Sequence, residues 1–144
     1  VPPPSGFKGE MQVSDPILRN GRIVFTTLIP TPDPCAFGGT SWLMELDALS
    51  GGRLNYTPLD LNDDRQFDAL DYVTLADGTK VPVSGVQSEV GITAKPGVLA
   101  GDGAEFKYMS GTKSRSATTT ENMQVMRENP GPGDVGRQSW RQMR

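Results

Sequence analysis

Asn20-Gly21 separates a short apolar run, Ile17 and Leu18, from a β-branched and aromatic run that extends from Ile23 to Ile29. No other feature constrains the chain as much. Both central residues of a type I′ turn take positive φ, which Gly adopts freely and Asn tolerates, so the pair predicts a tight hairpin of two antiparallel strands. The same punctuation recurs downstream. In "SWLMELDALSGGRLNY", Trp42, Met44 and Leu46 alternate with Glu45 and Asp47 before Ser50-Gly51-Gly52 leads to Leu54 and Tyr56, which predicts strand, turn, strand. A helix over 42–49 competes, since Leu, Met, Glu and Ala form helices well, but period two and the flanking turns favour the strand. Asp77-Gly78 between 73–75 and 81–83 predicts a further hairpin, whose second strand Pro82 restricts to a sheet edge.

Seventeen Gly and twelve Pro among 144 residues make up about a fifth of the chain, against roughly 12% in an average globular protein. Such a chain has many turns and few long helices, and its composition favours an all-β fold. At 35% hydrophobic content it is long enough for one domain with a core and too short for two. Four strands within about 45 residues have the size of one propeller blade, which cannot stand alone. "MELDALSGG" resembles the strand-and-turn signature of quinoprotein-type propeller repeats, although a generic hairpin explains it equally well.

Charge and chemistry narrow the function. The formal net charge is -3, with 14 basic and 17 acidic residues mixed along the chain, so the concentrated basic stripe of a nucleic-acid binder is missing. No apolar run approaches the roughly 20 residues of a transmembrane helix, and no leader pattern precedes Val1. The missing initiator Met suggests a processed or excised segment, so the lack of a leader says nothing about export. The chain has no histidine and one cysteine, which removes His-based acid-base catalysis, Ser-His-Asp and Cys-His triads and His-ligated zinc, and argues against an enzyme. Cys35 lies in the Pro/Gly-rich loop "PTPDPCAFGGTS" and is either a free or partly buried thiol or the partner of a cysteine outside this segment. The polar stretch "KSRSATTTENM", residues 113–123, reads as a mobile loop, and the tail as a closing strand anchored by Trp140.

One stretch carries ligand chemistry. "DLNDDRQFDALD", residues 60–71, places five aspartates against one arginine. An EF-hand loop needs oxygen ligands at positions 1, 3, 5, 7, 9 and 12, the seventh through its backbone carbonyl, because calcium takes six to eight hard oxygens at about 2.3 to 2.6 Å. Counted from Asp60, these positions hold Asp60, Asn62, Asp64, Gln66, Asp68 and Asp71, with Phe67 as the inward apolar residue. Calcium binding is therefore favoured over a solvated acidic turn. Arg65 replaces the usual Gly at position 6, where the left-handed backbone costs a non-glycine residue roughly 1 to 2 kcal/mol. Asp71 is one methylene shorter than the usual bidentate Glu, which lowers the expected affinity. Pro58 excludes an ordinary entering helix, so the loop is expected to sit between strands, with one helical turn over 69–73 at its exit.

Residues 9–54, together with "SGVQSEVGI", "FKYMSGT" and the terminal "GRQSWRQMR", resemble in this order the C-terminal end of the PilY/PilC-type β-propeller domain. That family comprises type IV pilus biogenesis factors and tip-associated adhesins. The resemblance implies an exported protein at the pilus tip, outer membrane or cell surface, acting in pilus biogenesis, surface adhesion and twitching motility. It implies a seven-bladed propeller of which residues 1–144 form a single C-terminal portion of two to three blades, ending natively at Arg144, with residues 60–71 an inserted Ca2+ loop. The implied partners are the remainder of its own propeller chain, minor pilins and a host or abiotic surface. The isolated segment is expected to be unstable or to associate with that remainder, because its open edges would invite aggregation. A quinone-dependent propeller dehydrogenase is the alternative, and the chain lacks the constellation of aromatic and charged groups such a cofactor would need.

Overall fold

A computed structural model of the chain describes residues 9–33, 35, 37–101, 103–113 and 122–131. Their regular structure is all-β apart from one 3-10 turn, Ala69–Asp71. Asn20 and Gly21 take φ of 48° and 73°, and the turn they form joins β2, Ile17–Arg19, to β3, Arg22–Pro30, with Arg19 opposite Arg22. β4, Gly39–Asp47, pairs along the whole length of β3. β1, Met11–Gln12, lies end to end with β2 along the opposite edge of β3. The segment 54–56 forms no strand, so the fourth position of this first sheet is filled from further along the chain by β7, Gly85–Gln87.

Between those pairings the chain makes a separate excursion. β5, Tyr72–Thr74, and β6, Lys80–Pro82, form a two-stranded hairpin around Asp77-Gly78, each strand one residue earlier than the sequence predicts. Pro82 sits on an edge strand, as its missing N–H requires. A second sheet has the order β10-β9-β8, from Met123–Glu128, Glu105–Ser110 and Gly97–Ala100. Neither sheet closes on itself among the described residues.

The two sheets meet through their side chains. Val24 and Leu43 from the first and Met109 and Met126 from the second form the buried apolar cluster, flanked by Ile17 and Val86. The apolar layer is thin. At one end Thr26, Ser41, Ser88, Thr93 and Gln124 are buried, and at the other Arg22, Glu45, Glu105, Lys107 and Glu128. β4 shows the predicted period of two, and its more apolar face is the outer one. Ser41, Leu43 and Glu45 point into the sandwich, whereas Trp42, Met44 and Leu46 line the half-buried outer face. Glu45 can face inward because Arg22 Nη1 donates to its Oε2 at 2.8 Å and Lys107 Nζ lies 3.2 Å from its Oε1. Buried charges are tolerated when paired in this way.

Among the described residues no helix is long and apolar enough to cross a membrane. Cys35 is an exposed free thiol in its loop. Of the expected mobile loop, residues 114–121 lie outside the described residues, as does the tail with Trp140, whereas its last residue, Met123, begins β10, Met123–Glu128.

Candidate functional site

The acidic loop leaves the sandwich beside β10. Leu59 bridges to Glu128, Asp60 N–H donates to the carbonyl of Arg127 at 3.1 Å, and Asn129 N–H donates to the carbonyl of Pro58 at 2.9 Å. These bonds fix the loop's first residue to the second sheet. Its last residue folds back to close it. Asp71, 1% exposed, accepts from Leu61 N–H at 2.7 Å through Oδ1 and from Asp68 N–H at 3.1 Å through Oδ2. Asp68 in turn caps the 3-10 turn by accepting from Leu70 N–H at 2.7 Å.

Within the loop the short side chains turn onto their own backbone. Asn62 Oδ1 accepts from Asp64 N–H at 3.1 Å, Asp64 Oδ1 from Gln66 N–H at 2.8 Å, and Asp60 Oδ2 from Arg65 N–H at 3.0 Å. Arg65 has φ of 68° and Asp63 of 60°, so the left-handed conformation expected at Arg65 is adopted. Together these bonds curl the chain, leaving Asn62, Asp64, Gln66 and Asp68 exposed and Asp60 and Asp71 buried.

The donor set is chemically suited to a hard cation, since every candidate ligand offers oxygen. Among the described residues, however, no three acidic or cysteine side chains are gathered closely enough to hold a metal as they stand. Their carboxylates instead accept from backbone N–H groups, which uses only part of the acceptor capacity of each. One atom is left over. Asp60 Oδ1 is buried and has no hydrogen-bond partner, an arrangement that costs free energy unless another group satisfies it.

Two groups near the loop were not evident in the sequence. Phe67 lies under the guanidinium of Arg127, 5.1 Å from ring centre to Cζ, and Arg127 Nη1 is 3.6 Å from Asp60 Oδ2. The second is the ionic layer next to Arg127. Arg22 Nη2 reaches Glu105 Oε2 at 3.1 Å, and Lys107 Nζ contacts Glu128 and lies 3.6 Å from Glu105 Oε2. Arg19, partly exposed, adds a third cation at Glu105 Oε1. Burial pushes the Glu128 carboxyl up to about 9, and the neighbouring Glu45 raises it further than Lys107 lowers it. The only trace of this layer in the sequence is the alternation of Glu105 and Lys107 with Phe106 and Tyr108, which puts two charges on the same face as Met109.

No family model matches the chain. Over 135 residues, 94% of its length, it is 28% identical to a type IV pilus biogenesis factor, PilY1, of Pseudomonas aeruginosa. A PilY1 homologue of Xylella fastidiosa is 46% identical over 46 residues. The chain spans only 10% of the Pseudomonas protein's length. In fold it is similar to the crystal structure of the Pseudomonas aeruginosa PilY1 C-terminal domain, with a TM-score of 0.65 over 90% of this chain and 22% of that one, at 22% identity. Sequence and fold together relate this chain to the PilY1-type pilus biogenesis factors.

Proposed function

We propose that this chain is part of an exported type IV pilus biogenesis factor, to which it contributes two to three blades of a seven-bladed propeller. The observation that carries this reading is the continuity of the similarity, a single alignment of 135 residues to a protein named for that role. The proposed setting is the pilus tip, outer membrane or cell surface, with minor pilins and a host or abiotic surface as partners, and adhesion and twitching motility as outcomes. No catalysed reaction is part of the proposal.

The propeller is supported by the outer face of the first sheet, which is apolar although it faces away from the second sheet. Ile23 pairs with Leu46 and Phe25 with Met44 on the outer face, beside Trp42, and Leu18 opposite Ile23 is 75% exposed. A sheet with one face in water would carry polar residues there. Internal blades of a propeller are covered on both faces, and the two sheets of this chain already pack face to face. Removing the coding stretch for residues 9–131 in frame from the parent gene should abolish surface pili and twitching. Normal piliation would refute the reading.

Calcium is the proposed ligand of the acidic loop, through the side chains of Asp60, Asn62, Asp64, Asp68 and Asp71 and the carbonyl of Gln66. The unpartnered buried Asp60 Oδ1 and the oxygen-only donor set support it. Bound there, the ion would neutralise clustered carboxylates and tie the loop's two ends together. Calorimetric titration of the chain and of an Asp60→Ala, Asp64→Ala variant tests this, and equal heats would exclude the loop as the site.

A further inference from the structure

The acidic loop carries its own substitute for a metal. Arg127 Nη1 approaches Asp60 Oδ2 at 3.6 Å, too far for a hydrogen bond, and this nitrogen is buried with no hydrogen-bond partner. Asp60 Oδ1 is likewise buried and unpartnered. A buried carboxylate and the buried nitrogen of a half-buried guanidinium therefore sit side by side, each with hydrogen-bonding capacity unused. The guanidinium is held from below by Phe67, residue eight of the same loop. Arg127 lines a cavity of about 280 Å³ together with Asp60, Asp63 and Glu89, and a second of about 500 Å³ together with Arg65 and Phe106.

We propose that Arg127 is the built-in counter-cation of Asp60 and competes with the divalent ion for it, setting the affinity of the loop. The inference rests on the calcium reading above and concerns what opposes that ion. Without metal, Arg127 offsets the charge of the buried Asp60 carboxylate, and so holds the loop in its curled form. A doubly charged ion at Asp60 repels the guanidinium, which is free to move into the adjoining cavity while remaining over Phe67. Because Arg127 belongs to β10, whose next residue, Glu128, is in the ionic layer, loop occupancy is transmitted to the interface between the sheets. Loose ionic contact suits this role. A bidentate, fully hydrogen-bonded Arg-Asp pair would be much harder to displace.

The test is calcium titration calorimetry on the whole chain, on Arg127→Met and on Arg127→Lys, joined with hydrogen exchange of amides 60–71 in the absence of metal. Arg127→Met should bind calcium about tenfold more tightly than the parent, since a repelling charge beside the ion is gone, whereas Arg127→Lys should stay close to the parent. Without calcium, Arg127→Met should exchange faster across the loop, and calcium should restore its protection. Phe67→Leu gives a second reading should Arg127→Met not fold. It frees the guanidinium without removing its charge and should raise affinity about threefold. Equal affinities in parent, Arg127→Met and Phe67→Leu overturn this inference and leave the calcium site standing. No binding by any of the proteins refutes the calcium reading and this inference with it, whereas tighter binding by Arg127→Met supports both.

Discussion

The ionic layer and the acidic loop are two answers to the same problem. Each gathers carboxylates at the edge of the sandwich, Glu45, Glu105 and Glu128 in one and five aspartates in the other. In the layer, cations come from neighbouring strands, and Arg22, Lys107 and Arg19 each reach at least one carboxylate. In the loop, the carboxylates face backbone N–H groups, and the nearest cation, Arg127, approaches only one of them. Charges neutralised from within fix two sheets in register. Charges left partly unneutralised on a curled backbone keep acceptor capacity unused, which the proposed cation would take up.

Removing one cation from the layer is the most severe way to break this contrast. Arg22 is wholly buried and binds Glu45, Glu105 and the carbonyl of Asn129. Arg22→Met should lower stability by about 3 to 5 kcal/mol, because it leaves two buried carboxylates with one cation fewer. Urea denaturation measures this, and a loss under about 1 kcal/mol would mean that the layer is ornamental to stability. The corresponding change in the loop, Asp60→Ala with Asp64→Ala, should do something different. At calcium a hundredfold above its dissociation constant the parent should gain about 2.7 kcal/mol and the variant none, read as a melting shift.

The layer also predicts a pH dependence. An unfolded Glu128 titrates near its ordinary value of 4.5, whereas in the folded chain burial raises it to about 9. The folded state therefore holds a proton that the unfolded state gives up between these values. Its contribution is fully present below about pH 4.5 and is lost as pH rises towards 9, at a slope of up to about 1.4 kcal/mol per unit. Glu128→Gln keeps a neutral group in place and should flatten that slope while leaving a folded protein. A slope unchanged in the variant would assign the proton to another group.

The sequence showed the loop more readily than the layer for a physical reason. The hairpin at Asn20-Gly21, the turn at Asp77-Gly78 and the alternation over 60–71 are written by adjacent residues, so local rules reach them. The inward face of β4 is not. The alternation over 42–47 announces a strand but not which face is inward: Glu45 alone is a poor core residue, and only Arg22, 23 residues away, and Lys107 make it one. Glu105 joins Arg22 across 83 residues, a pairing that no local pattern announces. Arg127 at the loop is hidden in the same way, since its approach to Asp60 exists only after β10 has paired.

The smallest effect tests how far the loop is shaped in advance. Arg65 is exposed, makes no ion pair among the described residues, and holds φ of 68°. An L-residue there costs roughly 1 to 2 kcal/mol relative to the right-handed region, and Gly avoids this at the expense of greater freedom when unfolded, about 0.4 to 1 kcal/mol. Arg65→Gly should therefore stabilise the chain by about 0.5 to 1 kcal/mol without calcium, measurable by thermal denaturation. Loss of a positive charge from an acidic loop acts in the opposite direction, and raising the salt concentration should remove that part and leave the backbone gain. A net loss that persists at high salt would mean that the left-handed turn is not under strain. The loop's resistance to closure would then lie in its carboxylates and Arg127 alone.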